Sequence, residues 1–154
     1  MFDIQSADEL FAMLRERFEQ YRADKEKGTE DAFFMILGAN HLREWIAPGY
    51  KCSGKGKDRR WPAAKDEAQH FSRQMYENEN FTIVRKLANG IKHLKASTTT
   101  TLDLEGTEGV AVIGHIGGKK ILKGIPSIHY VDGKDLAEVL EPVMELYRTW
   151  FERL

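Results

Sequence analysis

The chain has 154 residues, 42% of them hydrophobic and 31% charged, with a formal net charge of −1. That length and composition fit one domain with its own core, and the near-neutral balance excludes electrostatic binding of nucleic acid by the molecule as a whole, so any such site has to be a local patch. The single cysteine, Cys52, excludes an internal disulfide and a cysteine-rich zinc site.

No run approaches membrane-spanning length, and Met1-Phe2-Asp3-Ile4 lacks a basic stretch followed by an apolar one, so a soluble cytoplasmic protein without a secretory signal is expected. Ser6-Ala7-Asp8-Glu9 is a capping box, and Leu10, Phe11, Leu14, Phe18 and Tyr21 follow at helical spacing, which predicts a first helix over 6–23. Gly28 is its expected stop, and Thr29 can cap a second helix over 30–46, with Glu30 and Asp31 at its positive end. That helix is apolar nearly all round, through Phe33, Phe34, Met35, Ile36, Leu37, Leu42, Trp45 and Ile46, as expected of the centre of a domain. Asn40, His41 and Glu44 interrupt it on one arc. Buried polar groups need partners, and a buried carboxylate needs them most. A structural network, such as His41 to Glu44, is as good a reading of this arc as a binding site.

Residues 51–60, Lys51-Cys52-Ser53-Gly54-Lys55-Gly56-Lys57-Asp58-Arg59-Arg60, carry five cations against one anion and predict a mobile, exposed loop. Gly49 to Lys55 matches the glycine spacing of a phosphate loop. Gly56 stands where Ser or Thr is required, however, and the stretch follows a helix rather than a strand, so a nucleotide site is rejected. Such a loop can still hold a nucleic-acid backbone, or simply be solvated. Trp61-Pro62 is expected to open a third helix with Ala64, Ala68, Phe71 and Met75 as its stripe.

Residues 81–94 predict a two-faced fourth helix. Val84, Leu87, Ala88, Ile91 and Leu94 share an apolar arc, and Arg85, Asn89, Lys92 and His93 share the polar one. A guanidinium, an amide, an amine and an imidazole on one face suit an anionic substrate, though a solvated face is the plainer account. After Lys95 the period changes. Thr98 to Leu104 and Val110 to Ile116 read as strands, Gly117-Gly118 is a hairpin signal with Lys119 to Ile125 returning, and Ser127 to Val131 extends the sheet. A last helix follows Asp135, striped by Leu136, Val139, Leu140, Val143, Leu146, Tyr147, Trp150 and Phe151 and kinked at Pro142. The expected fold is therefore mainly α: a single helical-bundle domain over 1–154, with a small antiparallel β-hairpin element at 98–131 before the C-terminal helix.

The order Asn40, His41, Leu42, Glu44, Trp45, Ile46, followed by Arg85-x-x-x-Asn89-Gly90-x-Lys92-His93, resembles uncharacterised bacterial and phage relatives of the HEPN superfamily (higher eukaryotes and prokaryotes nucleotide-binding). The resemblance covers roughly residues 30–95. It implies a helical bundle that pairs into a homodimer. It also implies, for many members, metal-independent RNA cleavage in toxin–antitoxin or phage-defence systems, without a cofactor. The family motif has four to six residues between Arg and His; here seven residues separate Arg85 from His93.

Two functions follow. In the first, the protein binds or cleaves RNA. Arg85, Asn89, His93 and Glu44 are then the catalytic set, with His93 as general base or acid and Arg85 stabilising phosphate charge. Lys92, His41, Asn40, Lys55, Lys57, Arg59 and Arg60 would bind the substrate. In the second, the chain is a non-catalytic interaction module, such as an antitoxin, an immunity protein or a degenerate HEPN-like dimer, and its protein partner is a toxin or antitoxin. The five histidines are scattered with no metal-binding spacing, so no metal is expected.

Overall fold

The computed structural model describes residues 4–24, 28–54, 56–93, 102–106, 109–113, 126–131 and 134–153, with backbone alone between 91 and 130. Helix α1 spans Ala7–Ala23. The Glu9 N–H donates to Ser6 Oγ at 3.2 Å, and the Glu9 carboxylate accepts the Gln5 N–H at 2.7 Å, so the box closes one residue further out than its simplest form. Helix α2 spans Thr29–Ile46. Gly28 occupies its cap position and Thr29 is already helical; α1 ends earlier, at Asp24.

Helix α3 runs over Glu67–Glu77 and α4 over Glu79–His93. The expectation that Trp61-Pro62 opens α3 is corrected. Asp66 caps it by accepting the Gln69 N–H at 2.8 Å, while Gln69 Oε1 takes the Lys65 N–H at 2.9 Å. Trp61 is instead held among aromatic rings, and Tyr50 donates to the Pro62 carbonyl at 2.9 Å, so 61–65 stays extended. One residue, Asn78, separates α3 from α4. Its N–H donates to Met75 O at 3.1 Å and its side chain accepts the Phe81 N–H at 3.0 Å, closing one helix and opening the next.

Strands β1 (Leu102–Gly106), β2 (Gly109–Ile113), β3 (Pro126–Val131) and β4 (Lys134–Asp135) pair antiparallel in the order β2-β1-β3-β4. β1 lies between β2 and β3, with Leu102 opposite both Ile113 and Val131. The expected turn at Gly117-Gly118 and the returning strand at 119–125 lie outside the described residues. Helix α5 spans Leu136–Phe151, capped by Asp135 through the Ala137 N–H at 2.8 Å. It runs on through Pro142, which lies on the exposed side.

α2 and α5 are the two central helices: each packs against the other and against α1, α3 and α4, and α5 also carries β3 and β4. The core therefore draws on every helix, with Leu14, Ile36, Leu42, Met75, Phe81, Val84, Leu136, Leu140 and Tyr147 fully enclosed. Its aromatic seam runs along α5, where Phe151 stacks on Phe11 and Trp150 on Phe71, both at 4.8 Å between centroids. The protein is mainly α, and among the described residues no helix is long and apolar enough to cross a membrane.

Candidate anion-binding site

On α2, Ile36, Ala39, Asn40 and Arg43 recur at helical spacing, and all four are buried. The stripe that faces the bundle thus ends in a guanidinium only 7% exposed. Arg43 Nη1 donates to the buried Ser72 Oγ on α3 at 2.9 Å, and Nη2 lies 4.0 Å from Glu44 Oε1. Its Nε is shut off from solvent with no hydrogen-bond partner. A buried donor left unpaired costs about 1–3 kcal/mol, so a native chain keeps one only where something offsets it.

Four residues beyond Ser72, on the same side of α3, stands Tyr76. Three guanidiniums converge on its ring: Arg85 of α4 at 3.7 Å from the centroid, Arg59 at 5.2 Å and Arg43 at 5.4 Å. All are within the range at which a cation is drawn to an aromatic ring. Trp61 meets Tyr76 edge-on at 5.0 Å and is itself stacked on Tyr50 at 5.3 Å, which fixes where the loop before α3 must pass. Tyr50 is placed by the turn that ends α2, where Gly49 adopts φ +74° and the Tyr50 N–H donates to Ala47 O at 3.2 Å.

The basic loop is exposed as expected, and it is also stapled. Ser53 and Arg60 exchange two backbone hydrogen bonds of 2.9 Å around a short 3₁₀ turn, Gly56–Asp58. Gly54 has φ +78°, and a Cβ there would run into the Asp58 carbonyl, so no other residue closes this loop without strain. The staple presents Arg59 to Tyr76.

Burial pushes the Arg85 guanidinium below its ordinary pKa. Arg59 pushes the same way, Cys52 opposes them, and Arg43 adds a smaller downward push. Arginine stays charged through such shifts. Among the described residues neither Arg59 nor Arg85 has an ion pair with a carboxylate. A cluster of like charges with little neutralisation is suited to take an anion, and planar guanidinium forks match phosphate oxygens.

The residues expected to form the site are partly regrouped. Arg85 and Arg59 meet, and α2 does pack on α4. The α2 residue at that junction is Arg43, which the sequence reading passed over. His41 Nδ1 lies 3.1 Å from Glu44 Oε2, so these two pair with each other on the outside of α2. Glu44 otherwise reaches only Arg43 among the described residues. Asn40 is buried at 5% exposure, and Asn89 is exposed. Lys57 and Arg60 are exposed on the loop. Lys55 and the side chains of Lys92 and His93 lie outside the described residues. Tyr76 and Ser72 were also missed. The available signal was an arginine at a stripe position of α2 and a Ser72/Tyr76 pair one helical turn apart beside Phe71 and Met75. Among the described residues no group of three His, Cys, Asp or Glu could hold a metal ion.

The chain matches no family model, and no curated protein and no solved structure shows significant similarity to it.

Proposed function

We propose that the chain binds RNA by its phosphate backbone on the face built from Arg43, Arg59, Arg85 and Tyr76, as an HEPN-like helical protein with a small β-hairpin insertion. The observation that carries this reading is the convergence of three guanidiniums on one ring, where among the described residues Glu44 is the one carboxylate paired with any of them. Lys51, Lys57 and Arg60, exposed on the adjoining loop, extend the positive surface. Base-independent backbone contacts of this kind give affinity that falls steeply with salt, by about 0.7 in the log–log slope per phosphate engaged on a single strand. Within the same reading, metal-independent cleavage is assigned to His93 as the group that moves the proton of an attacking 2′-hydroxyl, with Arg85 stabilising the phosphate and Asn89 and Lys92 assisting from the same helix.

The test is fluorescence anisotropy with a labelled single-stranded RNA, alongside gel analysis of the same RNA for cleavage. Arg59→Gln and Arg85→Gln are each expected to weaken binding about tenfold or more, as loss of a charge-assisted phosphate contact does, while His93→Ala leaves binding in place and removes cleavage. Unchanged binding in both arginine variants would overturn the reading.

A second reading, an interaction module that pairs with itself or with a toxin or antitoxin, is favoured by one feature. Ile4, Leu10, Phe34, Leu37 and Trp45 line an apolar groove between α1 and α2, with His41 at its edge. Trp45 is 43% exposed there, the largest apolar side chain so placed among the described residues.

A further inference from the structure

We infer that the arginine cluster reads a phosphate monoester at the end of an RNA strand, in preference to the diesters within it; this rests on the RNA-binding reading above. The argument is one of charge balance. Arg43, Arg59 and Arg85 bring three positive charges to Tyr76, and Glu44, 4.0 Å from Arg43, brings one negative charge. Among the described residues, two positive charges remain without a carboxylate partner. An internal phosphodiester carries one negative charge, whereas a terminal monoester carries between about 1.5 and 2 near pH 7 and offers three terminal oxygens. The monoester therefore matches the cluster in charge.

The way the cluster is built points the same way. Arg43 is nine-tenths buried, one of its nitrogens has no hydrogen-bond partner, and it lies close enough to Arg85 to be felt electrostatically. A groove that only tracks a strand needs cations spaced along its surface, such as Lys51, Lys57 and Arg60. A third guanidinium that is buried adds nothing to tracking. It does concentrate charge at one point, as a dianion requires. Tyr76 supplies a shared neighbour: its ring attracts all three cations without neutralising them.

The experiment compares one short single-stranded RNA in three forms, with a 5′-phosphate, a 3′-phosphate or hydroxyls at both ends, by competition against a labelled strand. Inorganic phosphate serves as a further competitor. One phosphorylated form is expected to bind about tenfold tighter than the hydroxyl form, inorganic phosphate to erase that advantage, and Arg59→Gln, at an exposed position, to abolish it. Equal binding of all three forms, lost alike in Arg59→Gln, would overturn the monoester preference and leave backbone binding standing. An advantage that survives both Arg59→Gln and Arg85→Gln would place the phosphate elsewhere and overturn the inference too. Failure of every form to bind would remove the RNA reading itself.

Discussion

Arg43 shows how one side chain can be costly to the fold and useful to a site. It is buried, incompletely hydrogen-bonded and next to other cations. Replacing a buried ionic group and its partner by apolar groups of similar volume is often neutral or stabilising by about 1–4 kcal/mol, whereas removing one partner strands the other. Arg43→Met with Ser72→Ala is therefore expected to raise the urea midpoint or leave it unchanged, while anion affinity falls. A loss of stability above about 1 kcal/mol would mean that Arg43 serves the fold. Tyr147 makes the complementary case. Its hydroxyl donates to Ala39 O at 2.7 Å inside the core, and burial pushes its pKa far above the ordinary value. The folded state holds the proton more tightly than the unfolded one. Its share of stability is thus complete below about pH 10 and is lost as pH rises beyond it, by about 1.4 kcal/mol per pH unit. Tyr147→Phe should cost about 0.5–1.5 kcal/mol at neutral pH and flatten the alkaline limb of a stability-against-pH curve by one proton. An unchanged limb would contradict this.

At the scale of elements, the most exacting contact is between α1 and α2. A Cβ on Gly38 would stand 2.6 Å from Leu14 Cδ2 and 3.3 Å from its Cγ, and Leu14 is fully enclosed. Gly38→Ala gains about 1 kcal/mol of helix propensity but overpacks a site where Leu14 has little room to yield, at about 1–3 kcal/mol. A net loss of about 1 kcal/mol is expected from thermal or urea unfolding; a gain would show that the helices can part. The helices themselves were largely legible. Ser6-x-x-Glu9, the stripe of α1 and the Val84, Leu87, Ala88 arc of α4 act within one or two turns, so the sequence displays them directly. The start of α3 was not legible in the same way. Pro62 is a good first-turn residue, but Asp66 and Gln69 form the real cap, and the preference lost to Trp61 packing on Tyr50 and Tyr76.

For the whole molecule, the feature that bears on assembly is the groove at Trp45. α2 is central to the bundle yet leaves Phe34, Leu37 and Trp45 bordering solvent. If two copies pair there, light scattering at micromolar concentration gives twice the chain mass, and Trp45→Glu returns it to the monomer without altering the fold's midpoint by more than about 0.5 kcal/mol, as for a surface change. A monomeric mass for the unaltered protein would exclude self-pairing by this face.

Taken alone, the sequence determines that this is a mainly α chain, where most helices begin and end, and that positive charge is concentrated in residues 51–60 of a protein that is otherwise net acidic. These are properties of composition and of contacts a few residues apart. Which charges meet was decided only by the tertiary structure. Arg43 comes from α2, Arg59 from the stapled loop, Tyr76 from α3 and Arg85 from α4. Helical spacing puts Arg85 on a polar face and Glu44 on an interrupted one, but it carries no information on how far one helix is rotated against the next. That rotation is set by core packing, through Gly38 against Leu14 and Tyr147 against Ala39. It turns Glu44 outward to His41 and Arg43 inward to the cluster.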